Sequence, residues 1–249
     1  RSLLAAGESK ARLPFGKMLL LAILAGAYIA LAGVGATAAA VTVESGSLAK
    51  LLSACVFPAG LSMVILAGSE LFTGNCLMVM ALLERRITPA QLLRNWLTVY
   101  LGNAVGGAAV AALAVYSHTA SLFGDGLARS MVSIAESKAA LGFGDAFLRG
   151  VLCNFLVCLA VWMAAASKRA EGKVIALFFP ILLFVLCGYE HCIANLYYLP
   201  AGAFAAAEYG METTLTLAGC LKNLAAVTLG NLVGGAALGV GYRFAYLKE

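Results

Sequence analysis

Twice in this chain a glutamate interrupts a stretch otherwise apolar enough to cross a bilayer, and both times a glycine precedes it and an asparagine follows it at the same spacing. Gly68-Ser69-Glu70-Leu71-Phe72-Thr73-Gly74-Asn75 and Gly188-Tyr189-Glu190-His191-Cys192-Ile193-Ala194-Asn195 both read G-x-E-x4-N. A second pair follows: Leu101-Gly102-Asn103-Ala104-Val105-Gly106-Gly107-Ala108-Ala109 returns as Leu229-Gly230-Asn231-Leu232-Val233-Gly234-Gly235-Ala236-Ala237. The offsets, 120 and 128 residues, are each about half of the 249-residue chain. A carboxylate in hydrocarbon is costly unless it faces protein or water, so a duplicated one marks a pathway built where two copies of a unit meet.

Composition agrees with a membrane setting. The chain is 62% hydrophobic and only 12% charged, against about 25% charged in soluble domains. Its mean hydropathy is +0.93. The net charge of +5 does not point to nucleic acid, because the basic residues fall between apolar stretches rather than along one face. The chain begins at Arg1 rather than Met, which reads as a trimmed product, and no signal peptide is visible. Seven cysteines without a C-x-x-C spacing read as packing residues, and with only two histidines beside them no metal site and no cofactor is expected.

A span needs about 20 apolar residues. Six stretches qualify: Met18–Val43, Leu51–Leu83, Asn95–Tyr116, Gly150–Ser167 (extended back to Phe143), Val174–Ala207 and Asn223–Tyr242. The expected fold is therefore an all-α membrane protein of six transmembrane helices. Three spans per copy is an odd number, so the copies run in opposite directions, an inverted 3+3 repeat with halves at about 18–117 and 143–249 of a single channel domain. The glycines and glutamates of the G-x-E-x4-N motifs predict that helices two and five break at mid-membrane. Lys and Arg divide 12 to 5 when the N-terminus is placed inside, which predicts cytoplasmic termini.

Chemistry is expected where the copies differ. Aligning Gly68 with Gly188 sets Leu71 against His191 and Thr73 against Ile193. His191 is then the one imidazole at the centre, facing the Thr73 hydroxyl. Adjacent residues on a helix diverge, so Glu190 points away from His191. Glu190 and Glu70 read as acceptors for the N–H groups freed at the breaks. The L-G-N-x-V-G-G-A-A runs read as close helix packing. Asn154, in an apolar run, either bonds another helix or hydrogen-bonds a permeant. Lys138, on position alone, reads as a solvated loop residue.

These residues also resemble a known family. Val64–Gly74 and Gly150–Ala160 look like the two signature motifs of the formate/nitrite transporter family, and Gly188–Asn195 resembles its helix-five motif. The resemblance implies an aquaporin-like fold, a homopentamer of independently conducting protomers in the lipid bilayer, and passage of formate, nitrite or hydrosulfide. It also implies the inner membrane of a prokaryote. The segment from Leu217 to Asn231 looks closest to the nitrite-channel branch, which puts nitrite first among the permeants. By the same resemblance His191 is the central pore histidine, Thr73 the threonine of the helix-two break, Lys138 a vestibule lysine and Asn154 the pore asparagine. Phe57, Leu61, Leu71 and Phe184 align with apolar residues that narrow the pore.

The mechanism that follows is passage as the neutral acid. A bare anion in a dry constriction faces tens of kcal/mol in the idealised limit. Protonating a carboxylate 3 to 4 pKa units below neutral costs roughly 4 to 5 kcal/mol. Lys138 would enrich anions, the broken-helix N–H groups and Thr73 would hydrogen-bond the permeant, and His191 would donate or relay the proton. An aquaporin-like channel for neutral solutes is the alternative reading. An ammonium channel fits poorly, because the other histidine, His118, sits near a span end. An enzyme is not expected, because Cys192 and His191 are adjacent and no third group orients them.

Overall fold

The computed structural model describes residues 2–247; Arg1, Lys248 and Glu249, the first two of which entered the charge count above, lie outside the described residues. The described chain is all α. A short helix α1 (Ser2–Ala11) precedes α2 (Phe15–Ala40), then come α3 (Gly46–Val56) and α4 (Pro58–Ala67), nearly continuous with each other. The segment after Gly68 is fragmented into α5 (Phe72–Asn75), a 3-10 turn (Cys76–Met78) and α6 (Val79–Leu83). The remainder is α7 (Pro89–Tyr116), α8 (Gly126–Ala140), α9 (Phe143–Ala166), α10 (Ala170–Leu186), α11 (Cys192–Glu208) and α12 (Leu217–Tyr246).

This corrects the expectation of six transmembrane helices in an inverted 3+3 arrangement. Among the described residues five helices are long and apolar enough to cross a membrane: Phe15–Ala40, Gly46–Ala67, Pro89–Tyr116, Phe143–Ala166 and Leu217–Tyr246. The physical reason is that an apolar stretch is not a helix. Leu51–Leu83 and Val174–Ala207 were each counted as one span from hydropathy alone. The backbone leaves helical geometry inside both. Gly68 takes φ +78° and Gly188 φ +69°, a left-handed conformation that glycine adopts without a side-chain clash. Leu71 and His191 are extended, at φ/ψ of −111°/122° and −114°/114°. What remains is the short apolar helical segment Phe72–Leu83 and two 17-residue helices, α10 and α11.

Local signals set the other helix ends. Thr88 and Gln91 form a reciprocal capping box ahead of α7, with Pro89 in its first turn. Thr216 accepts from the Gly219 N–H at the start of α12. Two close helix pairs carry the body of the fold, α2 against α7 and α9 against α12. Both depend on glycine. A Cβ on Gly106 would collide with the Ile23 carbonyl, and one on Gly234 with the Val151 carbonyl. The close-packing reading of the two G-x-x-x-G-G runs thus has its atoms: backbone on backbone, with no side chain between.

Gly106→Val and Gly234→Val should each destabilise the protein by roughly 1 to 3 kcal/mol or prevent folding. The check is the thermal midpoint in detergent against Gly241→Ala, which has open space around it and should match the parent.

Candidate functional site

The two extended segments meet in the interior, and each is held by an asparagine from a neighbouring helix. The first N–H of α5, on Phe72, donates to Asn103 Oδ1 at 3.0 Å. The Asn103 amide donates in turn to the carbonyls of Ala22 at 2.7 Å and Glu70 at 2.9 Å. The second copy repeats this atom for atom. Cys192 N–H donates to Asn231 Oδ1 at 2.9 Å, and Asn231 donates to Gly150 O at 2.8 Å and Glu190 O at 2.9 Å. Both asparagines are wholly buried. The first helical N–H after each break is therefore taken by the asparagine of an L-G-N motif, not by Glu70 or Glu190 as the sequence suggested. Those asparagines sit on α7 and α12 beside the close-packing glycines, which masked their second task.

The glutamates instead hold lysines. Lys138 Nζ donates to Glu190 Oε1 at 2.8 Å, and Asn195 Nδ2 donates to Oε2 at 2.7 Å. Asn195 Nδ2 also donates to Asn223 Oδ1 at 2.8 Å, while Asn223 Nδ2 donates to the Lys138 carbonyl at 2.9 Å. The same ring is built from Lys10, Glu70, Asn75 and Asn95: Lys10 Nζ to Glu70 Oε1 is 2.7 Å, Asn75 Nδ2 to Glu70 Oε2 is 2.7 Å, and Asn75 Nδ2 to Asn95 Oδ1 is 2.9 Å. Lys10 on α1 therefore matches Lys138 on α8, at the same 128-residue offset that separates Asn95 from Asn223. Sequence reasoning missed Lys10, Asn95 and Asn223, although extending the 128-residue comparison beyond the G-G runs finds all three. Lys138 is not a solvated loop lysine. It stands in a helix, its side chain is 15% exposed, and its partner Glu190 is 6% exposed.

His191 and Thr73 come together at the centre. His191 Nε2 lies 2.9 Å from Thr73 Oγ1, and both residues are buried. Nδ1 accepts the Ala194 N–H at 3.1 Å, so the imidazole serves as the N-cap of α11. An acceptor Nδ1 puts the proton of the neutral ring on Nε2, which donates to the threonine oxygen and leaves the threonine O–H available to another acceptor. A second proton on Nδ1 would expel the Ala194 N–H and place positive charge at a helix N-terminus. Glu190 does point elsewhere than His191, but through extended backbone, where neighbours alternate, rather than through helix geometry.

Apolar residues flank this pair. Phe57 and Phe184 meet edge to face at 5.7 Å, and the Phe184 ring lies 5.8 Å from that of His191. Phe57, Phe184 and His191 line a cavity of about 410 Å³ that also receives Lys50, Lys138, Arg149 and Glu190. Three cations against one carboxylate make that cavity electropositive. Leu61 and Leu71 line a separate cavity of about 80 Å³, roofed by Leu3, Ala6, Gly7 and Lys10 of α1. Asn154 is buried, and its amide donates to the carbonyls of Thr73 at 3.2 Å and Asn231 at 2.7 Å. Of the two alternatives left open for it, bonding to neighbouring chain is the one the geometry contains. Lys50 and Arg149 were also missed, since exposed cations carry no local motif.

Comparison with known proteins gives one answer. The family model described as "Formate/nitrite transporter" matches residues 1–245. The probable formate transporter of Methanothermobacter thermautotrophicus is 38% identical over 265 residues, covering 98% of this chain and 94% of that protein. Among solved structures, one described as "FNT family ion channel" superposes with a TM-score of 0.86 at 33% identity, covering 97% of this chain and 96% of that one. Another, "Pentameric formate channel with formate bound", does so with a TM-score of 0.83 at 33% identity, covering 94% and 98%.

Asn231→Leu strips partners from one N–H and two carbonyls, each worth about 1 to 3 kcal/mol when buried and unmet. It should abolish stable folding in detergent, and Asn103→Leu should do the same, read by size-exclusion profile and thermal midpoint. For the ion pair, Glu190→Gln leaves a half-buried ammonium unmatched. Adding Lys138→Met should recover much of the lost stability in a double-mutant cycle.

Proposed function

The chain belongs to the formate/nitrite transporter family, and from that premise we propose a route and a permeant for it. It is a multi-pass membrane channel for small monovalent anions of the formate and nitrite type, not an enzyme. Formate is placed ahead of the nitrite that the tail motif suggested, because the relative and the ligand-bound structure named above are both described by formate. The working assembly is a homopentamer in a prokaryotic plasma membrane with both termini cytoplasmic. The description of a similar structure supports the first part and the charge count supports the last.

The observation that carries this reading is the 2.9 Å contact between His191 and Thr73, buried next to the cavity that His191 lines together with Phe57 and Phe184. The electropositive cavity raises the local concentration of anions before any constriction is met. Lys138, paired to Glu190, contributes to that field while its charge stays fixed in place. Crossing Phe57 and Phe184, or Leu61 and Leu71, favours the neutral acid for the Born reason given above. Between those crossings the permeant finds the Nε2–H of His191 and the hydroxyl of Thr73, donors that hold an oxygen without committing a full charge. Asn154 acts on this pair from behind, by fixing the Thr73 carbonyl.

The test is flux of formate, nitrite and hydrosulfide into proteoliposomes between acid and neutral pH. The parent should conduct, faster at acid pH. His191→Phe should lower formate flux at least ten-fold, the loss expected when a buried hydrogen-bonding group worth about 1.4 kcal/mol or more is removed. Thr73→Val should lower it by a smaller factor. Unchanged flux and pH dependence in His191→Phe would remove the histidine from the route. Glycerol permeation without anion flux would replace the reading with a neutral-solute channel.

A further inference from the structure

The two copies differ behind the central pair as well as within it. The hydrogen bonds of Asn103 to Ala22 and of Asn231 to Gly150 set α2 and α9 in register at an offset of 128 residues. In that register Asn154 falls opposite Gly26, and Cys158 opposite Ala30. The α9 helix thus carries two polar side chains, four residues apart and so on one face, where α2 has none. Both are wholly buried, and both reach the carbonyl oxygen of Thr73. Asn154 Nδ2 donates to it at 3.2 Å and the Cys158 thiol at 3.3 Å. The thiol's other acceptor, Asn154 Oδ1, is farther off at 3.8 Å.

The backbone explains why this carbonyl needs them. Helix α5 ends after four residues and passes into a 3-10 turn, where the Cys76 N–H is shared between the carbonyls of Thr73 and Gly74. The Thr73 carbonyl is incompletely met by its own helix. Its counterpart Ile193 lies in the first turn of the 17-residue α11, which runs on regularly. Helix α12 closes the space beside the two donors: a Cβ on Gly235 would stand 2.6 Å from Asn154 Nδ2 and 3.0 Å from Cys158 Sγ. Thr73 is β-branched and stiff at χ1, so the position of its backbone sets that of its hydroxyl. That hydroxyl lies 2.9 Å from His191 Nε2. We infer that Cys158 is a positioning residue for the route: with Asn154 it clamps the Thr73 carbonyl from α9, and so holds the Thr73 hydroxyl against His191. This role rests on the anion-channel reading above and adds a residue to it. A thiol is a weak donor, so its bond trims the place of Thr73 rather than building the fold.

The measurement is formate flux in proteoliposomes for the parent, Cys158→Ser, Cys158→Ala, Thr73→Val and the double variant of the last two. Cys158→Ala should lower flux roughly two- to five-fold, the weight of one weak hydrogen bond. Cys158→Ser, which keeps a donor, should retain most of the parent flux. In the Thr73→Val background Cys158→Ala should lower flux no further, because the group it positions is gone. Parent flux in Cys158→Ala would overturn the role. So would the same fractional loss in both backgrounds, which would make Cys158 a packing residue. A parent that passes neither formate nor nitrite would instead sink the channel reading on which the role stands. Should Cys158→Ala fail to assemble, the infrared S–H stretch decides. The band that Cys158→Ser removes from the parent spectrum should lie at the lowered frequency of a bonded thiol, and the frequency of a free thiol refutes the clamp.

Discussion

The arrangement depends on backbone groups that no helix satisfies. Where the chain turns extended near Glu70 and Glu190, it strands N–H and C=O groups that would otherwise lie in a helical ladder. In a membrane each such group costs several kcal/mol unless protein supplies a partner. One asparagine at each break answers the largest part of the demand, accepting one N–H and donating to two carbonyls. The glycines beside those asparagines allow α2 and α7, and α9 and α12, to approach closely enough for a short side chain to reach. Packing and polar satisfaction are thus one device. Without it the extended segments could not persist, and neither Thr73 nor His191 would stand where it does.

The second layer is electrostatic. Each glutamate is neutralised by a lysine from a peripheral helix and steadied by an asparagine five residues on. Buried ion pairs seldom add much net stability, since desolvation offsets attraction. Their value here is positional: Lys10 ties α1, and Lys138 ties α8, to the two breaks. Cations are left in excess only beside the wide cavity, through Lys50 and Arg149, and the central histidine and threonine bond to each other rather than to a charged group.

Much of this was legible from residue order. The duplicated motifs located both breaks, because a 120-residue offset aligns Gly68 with Gly188, and they set His191 and Thr73, each just past a break, on facing segments. Hydropathy, in contrast, overcounted the long helices, since it averages over Gly68 and Gly188 and cannot register a change of backbone hand. The glutamates were given the wrong partners for a related reason. From the sequence, a carboxylate beside a break is the nearest acceptor, whereas Asn103 and Asn231 lie more than 30 residues away and reach the break only through helix packing. Lys10 escaped notice because α1 lies before the first apolar stretch, outside the segments taken as repeats.

By itself, the sequence determined a helical membrane chain, its internal duplication and the residue types gathered at its centre, since composition and periodicity are properties of residue order. Tertiary structure decided which side chain satisfies which broken backbone group, that Lys138 is paired rather than solvated, and that Asn154 is spent on carbonyls. These are matters of distance between segments far apart in the chain, and distance of that kind is settled only when helices pack.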